Sequence, residues 1–275
     1  MAVTVTGVRR KDRDTVEGTT LIDGDTTPGI QPVGRTGFTL VMSEEFNGTM
    51  VVDDAGLGLV HFRPGGMQWS TWYPNWTNFT SQSPGGNHTN TGYDAYYDTS
   101  KVSLVGGALK LECDLQTTGG LPYTAGMIQS LPSYNPTAGF FEARLKMDAQ
   151  AVNGHWPAFW MSCSNVNQWP PEIDIMEYFW SGSNYEVHIF MPGGGGQFDD
   201  ITNNAGDLTQ YHVFGCDWNQ TNVRFYLDGT LMATAGSGFT PDDPQYLILN
   251  NGAREPANPN FASNDVYFDY VRAWV

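Results

Sequence analysis

From Gly139 to Met147 the side chains alternate in character. Phe141, Ala143 and Leu145 fall on one face and Glu142, Arg144 and Lys146 on the other. A period of two marks a strand with one face in a core. Short apolar runs of this kind recur at residues 38–42, 102–113, 158–162, 172–179, 185–190, 211–218, 222–234, 246–250 and 266–275. Gly106-Gly107 and Asp228-Gly229 sit between paired runs and predict two-residue hairpin turns. The pattern predicts no helix longer than two turns and no internal repeat. Many short strands joined by short turns predict an all-β sandwich or barrel.

Residues 172–177, Glu-Ile-Asp-Ile-Met-Glu, carry three carboxylates on an otherwise apolar strand. Alternation puts Glu172 and Asp174 on one face and turns Glu177 into the core. A lone carboxylate there costs several kcal/mol or loses its charge. A β-bulge at Ile175-Met176 returns Glu177 to the face of Glu172 and Asp174. It leaves Ile173 and one of Ile175 or Met176 for the core. The two glutamates can then stand roughly 5–5.5 Å apart, the separation of a retaining glycosidase. One attacks the anomeric carbon; the other protonates the leaving oxygen and then activates water. Asp174 between them holds a proton or a hydrogen bond, and its charge raises the pKa of a neighbour. The spacing alone is also compatible with a solvated acidic edge strand or a calcium site.

Composition narrows the choice. The 275 residues suit one large all-β domain or two small ones. The 9 Trp, 13 Tyr and 15 Phe exceed what a core needs, and flat rings pack on the C–H faces of sugars. The net charge of −16 repels polyanions, so nucleic acid and heavily sulfated polymers are excluded and a neutral substrate fits. Cys113, Cys163 and Cys216 each lie in a strand-like run and are expected as buried free thiols. No run of 18 apolar residues exists, so no transmembrane helix is expected. Residues 1–36 are rich in Thr, Gly and Asp without periodicity and read as an extended N-terminal arm; residues 37–275 read as the catalytic domain. The first residues lack the apolar segment of a signal peptide. Action outside the cell is nevertheless expected, with a leader removed or the protein carried on a particle. Residues 64–98 read as a long functional loop.

The motif strand resembles glycoside hydrolase family 16 in its bulged, laminarinase-like form. The resemblance extends over residues 43–48 (SEEFNG), 139–147 (GFFEARLKM), 154–161 (GHWPAFWM), the run around His188, residues 217–229 and the closing strand. It implies a β-jelly-roll of two curved antiparallel sheets with a concave substrate cleft, and hydrolysis with retention by a monomer. By match to the motif, Glu172 is the implied nucleophile, Asp174 the assisting residue and Glu177 the acid/base. Trp156, Trp160, Trp169, His188, Asn250 and Arg254 match positions that line the cleft. No cofactor is implied for catalysis. A structural calcium ion is implied at Glu45, Gly107 and Asp269. Residues 90–98 (NTGYDAYYD) depart from the laminarinase pattern by losing its Glu and Gln, and the long insertion at residues 64–92 has no place in it.

Three readings follow. The leading one is an endo-acting hydrolase of β-1,3- or β-1,3-1,4-glucan. The second moves the same chemistry to a β-galactan such as agarose. The third is a non-catalytic glycan-binding module, which the presence of all three acids disfavours.

Overall fold

Both glycine turns close hairpins. Val102–Val105 pairs with Ala108–Leu111 across Gly106 and Gly107, at φ +62° and +80°. Asn222–Leu227 pairs with Thr230–Gly236 across Asp228 and Gly229, at φ +48° and +79°. Left-handed backbone at both central positions matches the twist of the flanking strands, and glycine adopts it without a Cβ clash. The computed structural model describes residues 29–55, 58–72, 95–165, 168–178, 183–194, 196–254 and 260–275. Much of the 64–98 loop, including most of residues 90–98, lies outside them. Among the described residues the helical pieces are three short 3-10 turns.

Two large antiparallel sheets form a sandwich. The eight-stranded sheet runs Thr230–Gly236, Asn222–Leu227, His212–Trp218, Gly139–Met147, Val266–Trp274, Ala108–Leu111, Val102–Val105, and Leu40–Glu44 also pairs with Val266–Trp274. The nine-stranded sheet runs Gln197–Asn204, Asn184–Phe190, Glu172–Glu177, Ala158–Cys163, Gln245–Asn250, Met127–Gln129, Trp69–Ser70, Leu59–His61, Val51–Asp54. Between them Phe141, Leu145, Phe214 and Phe268 of one sheet meet Phe159, Met161, Ile173 and Leu249 of the other in one buried core. Each such side chain contributes about 1.5–3 kcal/mol by leaving water. The three cysteines are free and buried, as expected.

Two features go beyond the expected pair of sheets. A third sheet of three strands joins Ala95–Tyr97, Tyr123–Ala125 and Cys113–Asp114, with its first two strands parallel. It contributes Tyr97, Tyr123 and Ala125 to a second buried cluster with Trp156, Trp160, Tyr246 and Ile248. Residues 29–36 are packed against the body. Ile30 sits against Leu40, Phe140, Tyr226 and Trp274, and Trp274 Nε1–H donates to its carbonyl at 2.8 Å. Val33 N–H donates to Glu142 Oε2 at 2.8 Å, and Tyr270 Oη–H to Oε1 at 2.6 Å. Glu142 therefore leaves the solvated face its alternation predicted and lies buried. Residues 1–28 lie outside the described residues.

Candidate functional site

The ladder arranges the site as a grid on the face of the nine-stranded sheet turned away from the sandwich core. One row runs Phe190, Glu172, Ser162, Tyr246; the next His188, Asp174, Trp160, Ile248; the third Glu186, Glu177, Ala158, Asn250. The expected bulge makes the third row possible. Asp174 pairs with His188 but Glu177 with Glu186, so three steps on the motif strand match two on its neighbour. On the other side Trp160 pairs with Asp174 and Phe159 with Met176, leaving Ile175 as the extra residue. The bulge buries more than expected: Ile175 and Met176 both enter the core. In a regular strand without the bulge Glu177 would turn into the core among apolar side chains, where no counter-charge waits.

Each carboxylate has its own surroundings. Glu177 Oε1 accepts from Trp156 Nε1–H at 2.7 Å and from the Arg254 guanidinium. Its Oε2 lies 3.5 Å from His188 Nε2. Glu172 Oε2 accepts from Trp169 Nε1–H at 2.9 Å. Asp174 is buried between them, and its Oδ2 has no hydrogen-bond partner among the described residues. Burial, and then the charges of Glu172 and Glu177, push the Asp174 carboxyl well above the usual carboxylate range. Burial also raises Glu172; the Trp169 N–H opposes this and the Glu177 charge adds to it. Burial alone would lower His188, but Glu186, Glu177 and Asp199 together raise it to about 9.

The aromatic residues divide. Trp169 is 52% exposed, its ring 5.7 Å from that of Phe190. Phe190 in turn stacks on His188 at 6.0 Å. This row forms an open aromatic face beside Glu172. Trp156 and Trp160, matched to cleft-lining positions, are instead 4% and 5% exposed beneath the small third sheet. Trp160 Nε1–H donates to Asn250 Oδ1 at 2.7 Å, and Asn250 Nδ2–H to the Trp156 carbonyl at 3.0 Å. Asn250 is therefore a buried brace for two indoles. Trp156 still reaches the site through its N–H, and Arg254 through its ion pair.

Glu186, Asp199 and Phe190 were not among the residues expected here. The available signal was parity: Glu186, His188 and Phe190 alternate along one strand. Asp199 arrives from Gln197–Asn204, opposite His188.

The acidic side chains of the residues matched to a calcium site have protein partners. Glu45 is gripped by Arg272 at 2.6 and 2.9 Å, and Asp269 by Arg144 at 2.7 Å. Gly107 forms its hairpin turn. Two carboxylates already neutralised by arginines offer a dication little net charge. Among the described residues no group of three or more His, Cys, Asp or Glu is placed to hold a metal.

Comparison with known proteins agrees with this architecture. Residues 89–262 match the profile of glycosyl hydrolases family 16. The endo-1,3-1,4-beta-glycanase ExsH of Rhizobium meliloti (strain 1021) is 30% identical over 162 residues, 56% of this chain and 34% of that protein. A keratan-sulfate endo-1,4-beta-galactosidase of Sphingobacterium multivorum is 26% identical over 270 residues, 88% of this chain and 56% of that protein. The catalytic domain of an endo-1,3-beta-glucanase (laminarinase) from Thermotoga petrophila RKU-1 shares the fold, with a TM-score of 0.67 at 23% identity over 87% of this chain and 98% of that one. The chain spans about a third of the length of the Rhizobium relative. The family match covers the motif strand, both its neighbours and the Trp156 and Arg254 segments, and on that ground the chain belongs to glycosyl hydrolases family 16.

Proposed function

We propose that the chain is an endo-acting retaining hydrolase of a neutral β-glucan with β-1,3 or mixed β-1,3-1,4 linkages. The observation that carries this reading is the bulge that sets Glu172, Asp174 and Glu177 on one face. Glu172 attacks the anomeric carbon while Glu177 protonates the departing glycosidic oxygen. A covalent glycosyl-enzyme forms on Glu172. Glu177, now a carboxylate, takes a proton from water as that water attacks the same carbon and releases Glu172. Three neighbouring carboxyls, Asp174 and Glu177 buried and Glu172 half-buried, cannot all ionise. Asp174, pushed upward by burial and both glutamates, keeps the proton, and Glu172 can then be negative. Trp156 and Arg254 fix the rotamer of Glu177; Trp169 stacks on a sugar ring next to Glu172. No cofactor enters the scheme. The enzyme acts as a monomer outside the cell, on a polysaccharide too large to enter.

The preference for a neutral polymer rests on the net charge of −16 and on the carboxylates gathered at the site. A β-galactan is the second reading. It draws on the galactosidase relative and on the altered 90–98 segment.

The test is a panel of laminarin, mixed-linkage glucan, agarose, carrageenan and xyloglucan, with reducing ends measured and Glu172→Gln as control. Release from laminarin or mixed-linkage glucan, lost in the variant, is expected. Release from a galactan alone moves the substrate. Tight binding without any release overturns the enzyme reading in favour of a glycan-binding module.

A further inference from the structure

Glu186 lies outside the motif, yet it is 8% exposed and faces Glu177 directly across the ladder. His188 Nε2 stands between the two carboxylates, 3.0 Å from Glu186 Oε2 and 3.5 Å from Glu177 Oε2. The other ring nitrogen, Nδ1, is 2.6 Å from Asp199 Oδ1, which also accepts from Gln197 Nε2–H at 2.6 Å. Both ring nitrogens thus face carboxylates. A neutral imidazole has a single N–H, so this arrangement calls for the doubly protonated ring. Its Nε2–H has two acceptors within reach, and Glu186 is the nearer.

We propose that Glu186 is a positioning residue: it is the alternative acceptor that draws the His188 Nε2–H away from Glu177 while Glu177 carries its proton. This rests on the reading above, in which Glu177 serves first as acid and then as base. In the first half-reaction Glu177 gives its proton to the leaving oxygen. The glycosidic C–O bond breaks as the Glu172–carbon bond forms. Glu177 is left negative, and the Nε2–H turns from Glu186 Oε2 to Glu177 Oε2. In the second half-reaction Glu177 takes a proton from the attacking water, the Glu172–carbon bond breaks, and the Nε2–H returns to Glu186. His188 keeps both its protons throughout, so charge balances at every step. Without Glu186 the imidazolium would pair with Glu177 permanently and favour its ionised form, which is the wrong form for an acid. The other charged groups around the ring are Glu172 and Asp174 on the motif strand, Asp199 on Gln197–Asn204 and Arg254 beyond Gln245–Asn250. All remain in place when Glu186 alone is changed.

The experiment compares wild type with Glu186→Gln, in the full chain, on a β-glucan polymer and on an aryl β-glycoside whose phenolate departs without protonation. Polymer kcat/KM is expected to fall about tenfold, a fraction of what a general acid supplies. The aryl glycoside should change less than about threefold, because its first step needs no acid. The alkaline limb of the polymer pH profile should move to lower pH. Glu186→Asp withdraws the acceptor by one methylene but keeps the charge. It should give the same leaving-group signature, and it replaces E186Q if that variant does not fold. Equal losses on both substrates, or an unmoved alkaline limb, overturn the proposal. A wild type without hydrolysis, or an E172Q variant with full activity, overturns the underlying reading instead.

Discussion

Trp156 and Glu177 are joined by a 2.7 Å hydrogen bond from the indole Nε1–H to Oε1, and the ring that supplies it is almost wholly buried. A rigid core residue thus orients a carboxylate at the site. Trp156→Phe keeps most of the packing and removes the donor. A buried hydrogen bond to a charged group is worth about 1.5–3 kcal/mol. We expect kcat to fall roughly tenfold with KM little changed, because a group of the chemical step is misplaced and substrate contacts are not. Steady-state kinetics on the preferred glucan decide it; a change confined to KM would contradict this role.

The two glutamates should separate by leaving group. Glu177→Gln is expected to lose about 10²–10⁴-fold on polymer and to retain activity on activated aryl glycosides, with azide restoring turnover. Glu172→Gln should be inactive on both. Equal behaviour of the two variants on the aryl substrate would remove the assignment of roles.

Trp169 has two tasks, an exposed ring and an N–H on Glu172. Trp169→Ala should raise KM about tenfold, a loss of about 1.4 kcal/mol of binding, and lower kcat as well. Trp169→Phe keeps a ring and loses the N–H, so it should lower kcat with a smaller rise in KM. An unchanged KM in Trp169→Ala rules out the platform.

His155 predicts acid lability. It is fully buried, with Nε2 2.7 Å from Asn251 Oδ1 and Nδ1 3.2 Å from Asn264 Nδ2. One nitrogen donates and the other accepts, so the ring is neutral. Burial lowers its pKa to about 4. A depressed pKa means stability that is full above the unfolded value, near 6.5, and lost as pH falls toward 4. The loss is on the order of 3 kcal/mol. Urea midpoints at pH 7 and pH 4 for wild type and His155→Gln measure it. The variant should lose less than wild type over that interval, and an equal loss would place the acid sensitivity elsewhere.

Removal of residues 1–36 takes away the Val33 N–H from Glu142 and uncovers Trp274 and Phe140. We expect the melting temperature to drop by roughly 5–10 °C, a loss of a few kcal/mol for a domain of this size. Activity at 25 °C should survive, since this face is the opposite one from the site. A truncated chain that melts with the full chain would return residues 29–36 to the status of an arm.

The sequence by itself determined what depends on neighbours along the chain. The period-two alternation of Gly139–Met147 requires a strand with one buried face. Gly106-Gly107 and Asp228-Gly229 require left-handed turns. The three acids of Glu172–Glu177 require a bulge, since an unbulged strand would bury Glu177 unpaired. Only the tertiary structure decided which strands pair, in what register, and what covers each face. Trp160 is buried because Ala95–Tyr97 and Tyr123–Ala125, paired in parallel, pack with it in one cluster. Glu142 is buried because residues 29–36 cross it. Glu186 meets Glu177 because one strand bulges there and its neighbour does not. Asp199 meets His188 through a separate pairing, and Arg254 reaches Glu177 from residues far along the chain. Alternation is a property of the local backbone, whereas register and cover come from free-energy differences among pairings of residues tens to hundreds of positions apart.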